Sequence, residues 1–347
     1  MRRPRARIAA PAALLLLLSA CTSGGRASAG DRGAATSAPV ATTTTTLPPI
    51  APLTGLDLTD QARLARPALV VKVENAPASR PQSGLDAADV VYEEIVEGGI
   101  TRFLAVFHST DADLVGPVRS VRPSDPEIVA PFGGLFAYSG GIPSFIDALR
   151  STPGITDVGV DLLDEGPDKP YTRRSGRTAP SNLYTSTAKL YDRAPATGTR
   201  PPGRFADFLP AGQAFTGAGA TAAVGLNVTV GITPVVFSYD EASRTYRRSG
   251  LVEGSGVVAP ANVIVQFTAY TETDEVDQSE TTVEKAAVVG SGDALILAGG
   301  TAVRGRWSKP SAEAYTTYTD ADGAPVRLAP GRTWIELARN GAPASTR

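Results

Sequence analysis

Residues 68–122, ALVVKVENAPASRPQSGLDAADVVYEEIVEGGITRFLAVFHSTDADLVGPVRSVR, decide how this chain is built. Runs rich in valine and isoleucine are cut by Gly98-Gly99, Gly116-Pro117 and Arg122-Pro123, and charges fall where an apolar pattern would reserve a core position. The spacing predicts a strand over Leu69–Val73 and a loop over Ala76–Gly84. It also predicts a hairpin with arms Val90–Val96 and Ile100–Phe107, turning at Gly98-Gly99, where two glycines accept the positive φ of a type I′ turn. A helix over Leu85–Gly98 competes, because Leu85, Ala88, Val91 and Ile95 share a helical face. The β-branched density and the Gly-Gly pair favour the hairpin.

A two-residue turn sets Ile95 opposite Arg102, Glu93 opposite Leu104 and Glu94 opposite Phe103. Arg102 then has Glu93 and Glu97 as diagonal neighbours. The other face carries Val90, Tyr92, Val96, Phe103, Ala105 and Phe107. Both faces are too apolar for water, which places the hairpin centrally in a sheet. The Glu–Arg–Glu group is then either a buried ion network or the wall of a cleft. On a straight strand Arg119 and Arg122 point to opposite faces. A bend at the flanking prolines brings the two guanidiniums together, to hold a carboxylate or phosphate or to pair with Glu93, Glu94, Glu97 or Asp125.

Further along, a helix starts near Asp125 with Pro126 at its first position, Gly134–Tyr138 forms a buried strand, and Pro143–Arg150 forms a helix. The Ser139-Gly140-Gly141 turn between them lacks the spacing of a phosphate loop. Asp164–Asn182 is a long polar loop holding Arg173, Arg174, Arg177 and Asn182, a length common in binding loops. Tyr184 follows it, and Ser186 caps a helix reaching about Arg193.

After a Pro/Gly-rich break at Ala194–Gly203, candidate strands alternate with Gly, Pro and Asp turns up to Leu337, as expected of an antiparallel sheet or small barrel. The acidic run Glu272, Asp274, Glu275, Asp277 and Glu280 lacks the glycine and spacing of a calcium loop, and suits a solvated loop better. Trp334 suits the core, and Trp307 suits either the core or a stacking surface. The fold class is α+β: an N-terminal mixed α/β domain at 53–196 with a central hairpin, then a mainly antiparallel β domain at 203–340.

The chain has 347 residues and a formal net charge of −2. Its first twenty residues hold Arg2, Arg3, Arg5 and Arg7 before an apolar run from Ile8 to Leu18, the pattern of a secretion signal too short to remain as a membrane span. Without those residues 29 basic side chains face 35 acidic ones, a net charge of −6, which argues against a nucleic-acid partner. Leu18-Ser19-Ala20-Cys21 matches a lipobox, which makes Cys21 the acceptor of a lipid. As Cys21 is the only cysteine, disulfides and thiol chemistry are excluded. Residues 21–52 are a Thr/Pro/Gly/Ser-rich tether, with an average span of about 30 Å.

Four blocks in the first half resemble the YerB-like bacterial lipoproteins, a family whose domain has no assigned function. They are Pro81-Gln82-Ser83-Gly84-Leu85; Ala88–Phe107; Gly116-Pro117-Val118-Arg119-Ser120; and Ala179 through Asn182-Leu183-Tyr184-Thr185-Ser186. Asn262-Val263-Ile264-Val265-Gln266 and Gly331-Arg332-Thr333-Trp334-Ile335 extend the resemblance to about Leu53–Leu337. Members usually carry a histidine where this chain has Ser181, so acid–base work by that imidazole is not available here. The resemblance implies a two-domain envelope protein, in a family with one member linked to regulation of penicillin-binding proteins, and it supplies no catalytic residues.

His108 is the only histidine, which rules out a multi-histidine metal site. No nucleophile elbow accompanies it. A carboxylate-based glycan hydrolase using Glu93, Glu94 or Glu97 is the enzymatic alternative. An adjacent guanidinium would lower the carboxyl pKa, the wrong direction for a general acid. The expectation is a non-enzymatic protein without cofactor or metal, anchored to the membrane through Cys21, that binds a penicillin-binding protein or a cell-wall fragment. Its candidate cleft residues are Glu93, Glu97, Arg102, Arg119, Arg122, Arg177, Asn182 and Tyr184.

Overall fold

The structure is a computed structural model that describes residues 49–160, 164–251 and 256–347. The signal sequence, Cys21 and most of the tether lie outside the described residues. The chain joins the fold at Pro49, whose carbonyl accepts from Leu58 N–H at 2.8 Å, and Ala51 is already buried.

Five strands of the first half are β1 (Leu69–Glu74), β2 (Val90–Ile95), β3 (Thr101–Phe107), β4 (Gly134–Ala137) and β5 (Ile155–Asp157). They lie in the order β2-β3-β1-β4-β5. Every residue of β1, β2, β3 and β4 is buried, which explains their near-continuous apolar composition. The sheet continues beyond β2 into the second half of the chain. Strand Thr333–Arg339 runs parallel to β2, pairing Thr333 with Val90 and Glu336 with Glu93. Asn262–Thr268, Gly290–Ala298, Thr301–Lys309 and Thr317–Asp320 extend it to eleven strands, counting Thr221–Ala222 at its edge. The α+β class therefore holds, with the central strands of both halves in one hydrogen-bonded sheet.

A core lies on each face of this sheet. On one face Val91, Phe103, Val263 and Trp334 pack with Phe237 and Tyr246, from a four-stranded sheet that includes Gly225–Val230, Thr233–Asp240 and Thr245–Arg248. The other face packs Tyr92, Leu104 and Ile335 against Phe132, Phe145 and Phe205, around helices Asp125–Val129 and Pro143–Arg150. Trp307 and Trp334 are both core residues. Of the acidic run, Glu272, Asp274 and Glu275 lie in the strand Tyr270–Val276, paired with Thr282–Ala286, where a loop was expected, while Asp277 and Glu280 lie in the turn that joins the two strands. Cross-strand pairing with this ribbon lets its carboxylates stay in water without a turn at every charge. Among the described residues no helix is long and apolar enough to cross a membrane.

The hairpin is central as expected, but its register is one residue from the two-residue-turn reading. Ile95 pairs with Thr101, Glu94 with Arg102 and Glu93 with Phe103. The turn takes three residues, Glu97-Gly98-Gly99, closed by Val96 N–H donating to Ile100 carbonyl at 2.8 Å. Gly98 and Gly99 both have positive φ, 66° and 73°. Glu97 is drawn into the turn because its carboxylate is held by two arginines, described next.

Candidate functional site

A one-residue shift in register moves side chains to the opposite face of a sheet. Glu93 therefore does not neighbour Arg102, and the predicted Glu93–Arg102–Glu97 group is corrected to Glu74–Arg102–Glu97. Arg102 Nη2 donates to Glu97 Oε1 at 3.0 Å, and its Nε lies 3.7 Å from Glu74 Oε1. Arg119 Nε binds the other Glu74 oxygen, and Arg122 grips Glu97 with both Nε, at 2.6 Å, and Nη2. Arg119 and Arg122 do reach one network, from opposite ends, with Arg102 between them.

Beside them on this face, the Lys72 ammonium bridges Glu94 and Asp125, the latter at 2.6 Å. The eight groups sum to zero charge, but unevenly. Three arginines face two glutamates on one side, and one lysine faces two carboxylates on the other. The pKa shifts follow that division. Burial pushes the Glu97 carboxyl up, but Arg122 and Arg102 outweigh it and hold it at about 2. Glu74 is likewise lowered against its burial by Arg102 and Arg119. Glu94 goes the other way: burial and the nearby Asp125 exceed the pull of Lys72 and raise it to about 7. The side chains of Lys72, Glu94 and Asp125 are fully enclosed, and only Arg119, 22% exposed, reaches solvent appreciably. This is a cross-braced ionic layer in a sheet, in which every carboxylate has a cationic partner while Glu94 Oε2 and Arg102 Nε are buried without a hydrogen bond.

On the opposite face Glu93 accepts from Asn75 at 3.0 Å, from the Thr101 hydroxyl at 2.7 Å, and from Arg248. Arg248 lies between Phe103, Phe237 and Trp334, with its guanidinium carbon 5.3 Å from the Trp334 ring centre. Its Nε stands 3.6 Å from Glu336, which also accepts from Trp334 Nε1 at 2.9 Å. Burial first, and then the charge of Glu93, raises Glu336 well above the ordinary carboxyl range. The charged form of Glu336 is thereby disfavoured beside the Glu93–Arg248 contact.

The remaining predicted residues form a separate group. Arg177 donates to the carbonyls of Ser79 and Pro81 at 2.9 and 2.7 Å, and so ties the long loop to the segment before β2. Asn182 accepts from Arg173 at 2.9 Å. Arg174 and Arg177 both lie over the Tyr184 ring, at 5.6 and 5.8 Å. Tyr184, Arg174 and Lys189 border a recess of about 240 Å³. The Ser181 hydroxyl accepts from the Ser79 hydroxyl at 2.8 Å. Ser186 caps the helix Thr187–Tyr191 as expected.

Four members of the buried clusters, Lys72, Glu74, Arg248 and Glu336, were not anticipated. Three carried a signal, since Lys72, Glu74 and Glu336 are charges inside apolar strands. Arg248 carried none. His108 is buried with neither ring nitrogen bonded, and burial, aided by Arg66, lowers it to about 4, so it is neutral. Among the described residues no group of three His, Cys, Asp or Glu side chains is placed to hold a metal.

Comparison with known proteins gives matches to two family models. Residues 53–200 match "Protein of unknown function (DUF3048) N-terminal domain", and 226–335 match the corresponding C-terminal domain. The chain is 30% identical over 300 residues to "Putative lipoprotein YerB" of Bacillus subtilis (strain 168), covering 83% of this chain and 85% of that one. The crystal structure of YerB protein from Bacillus subtilis superposes with a TM-score of 0.68 at 25% identity, over 86% of this chain and 99% of that one.

Proposed function

The chain belongs to the DUF3048 family, and from that premise we propose that it is a lipid-anchored protein on the outer face of the membrane that acts by binding, not by bond cleavage. The lipidation signal at Cys21 and the name of the Bacillus relative support the anchor. The proposed partner is a penicillin-binding protein or a cell-wall fragment, whose synthesis machinery this protein would modulate.

One observation carries the binding reading. Glu93 and Glu94 are fully buried on opposite faces of one strand, and Glu97 is clamped by two arginines. No two of these carboxylates can flank a glycosidic bond, and a carboxyl held near 2 is a poor general acid. The solvent-facing cationic surface is instead the loop, where exposed Arg174 stands over Tyr184.

Purified full chain, incubated with isolated cell-wall fragments and membrane synthases and cross-linked, tests this. Capture of a synthase or a fragment, weakened when Arg174 and Arg119 are changed to Ala, is the expected result. Glycan or peptide cleavage that disappears in Glu97→Gln overturns the reading, as does capture of no envelope component.

A further inference from the structure

A cavity of about 500 Å³ opens between the end of β3 and the turn at Gly331-Arg332, apart from both ionic layers and from the Tyr184 loop. That volume lies in the range of small-molecule sites, roughly 300–1,000 Å³. Ser109 and Thr110 line one wall and Ala259 and Ala261 another, while Phe215 and Leu56 add apolar surface. Three charged side chains reach it: Arg332, Arg244 and Asp89.

The carboxylate is already engaged. Asp89 Oδ2 accepts from the backbone N–H groups of His108 and Ser109, each at 2.7 Å, and Oδ1 takes the Ser109 hydroxyl. Arg332 acts on Asp89 only through space. Among the described residues its guanidinium joins no ion pair and donates no hydrogen bond, although the residue is half-buried. A guanidinium at a cavity wall with no protein acceptor keeps its donors free for a bound anion. Its backbone has the opposite fate: the Arg332 carbonyl accepts from Ala261 and Asn262, which fixes the residue at the cavity floor.

Arg244 adds a second observation. It closes the turn between Thr233–Asp240 and Thr245–Arg248 with φ of +56°, a conformation that favours glycine or asparagine. An arginine held there is a local cost, and backbone strain of this kind concentrates at ligand sites. With two guanidiniums against one hydrogen-bonded carboxylate, the lining is net positive on a chain whose total charge is negative. A concave, partly apolar wall focuses such a field.

We propose that this cavity binds a small organic anion. Arg332 holds its carboxylate or phosphate, Arg244 draws it in at the rim, and its uncharged part lies against Phe215 and Leu56. The inference is independent of the partner proposed for the Tyr184 loop. It also gives the Gly331-Arg332-Thr333-Trp334 block a role: Trp334 enters the core while Arg332, two residues earlier, lines the cavity.

Thermal unfolding of the full chain in detergent, at pH 7 and constant ionic strength, tests it with three probes. These are inorganic phosphate, N-acetyl-alanyl-alanine, and the uncharged amide of that dipeptide, with chloride as the matched salt. A saturable rise in Tm with phosphate or the free dipeptide, absent with the amide, is expected. Whichever anion acts identifies the headgroup. Arg332→Gln should weaken that binding at least ten-fold and Arg244→Gln two- to five-fold. Ala211→Trp, at an exposed position of the mouth, should block it with Arg332 intact, and decides the matter if Arg332→Gln does not fold. Stabilisation by neither anion beyond chloride, or undiminished binding in Ala211→Trp, overturns the proposal.

Discussion

Replacing Lys72 by Met isolates the energetics of the ionic layer. Lys72 is the cation placed between Glu94 and Asp125, and all three side chains are fully enclosed. Met fills a similar volume, so the loss is mainly that of charge. Breaking a buried pair from one side costs about 3–5 kcal/mol, because the other charge is stranded. At pH 6 Glu94 is protonated in the folded protein, its pKa having been raised to about 7. The cost there is the Lys72–Asp125 pair alone, about 3 kcal/mol. The sign of the pH dependence follows from the direction of the shift. Because the folded pKa lies above the unfolded one, the contribution of Glu94 is full below about 4.5 and is lost as pH rises through about 7. In the wild type the loss stops there. Without Lys72, which pulls that pKa down, the loss continues upward at about 1.4 kcal/mol per pH unit. The gap between variant and wild type therefore widens by about 2 kcal/mol from pH 7 to 8.5. Urea unfolding reads this directly. With a slope of about 3 kcal/mol per M, the midpoint should fall by about 1 M at pH 6 and about 1.7 M at pH 8.5. Adding Glu94→Gln to Lys72→Met should abolish the widening. A midpoint shift below about 0.3 M at pH 8.5, or one that does not change with pH, would refute the reasoning.

The two glutamates around Arg248 should respond differently to the same change. Glu336→Gln replaces a carboxyl whose charged form is disfavoured by burial and by Glu93, and should cost under about 1 kcal/mol at pH 7, whereas Glu93→Gln, facing three donors, should cost about 3 kcal/mol, both read by urea unfolding. Glu97 has a depressed pKa, so its contribution is present above about 4.5 and is lost as pH falls through about 2. Glu97→Gln should accordingly flatten the acid limb of the stability curve between those values, and an unchanged limb counts against the arginine clamp. Gly134→Ala should destabilise by at least about 2 kcal/mol, because φ there is +83° and a Cβ would meet the Ala68 carbonyl at 2.2 Å; circular dichroism melting shows whether it does.

The sequence by itself determined the elements that local chemistry controls. Val/Ile density gave the strands of β1, β2 and β3, Pro126 gave a helix start, and Ser186 gave a cap. The positive φ of Gly98 and Gly99 followed from the lack of a side chain. The family resemblance was equally legible, as its motifs lie along the chain. What only the tertiary structure decided was partnership across distance. The turn holds three residues, not two, because Glu97 is drawn in by Arg102 and by Arg122, which arrives from another segment. That single residue moved Glu93 away from Arg102 and to the face where Arg248 waits, 155 positions along the chain. The parallel seating of Thr333–Arg339 beside β2 set Glu336 against Glu93, and no local pattern encodes a contact between strands so far apart. Propensity acts between neighbours, whereas burial and charge pairing act between whichever residues the sheet brings together.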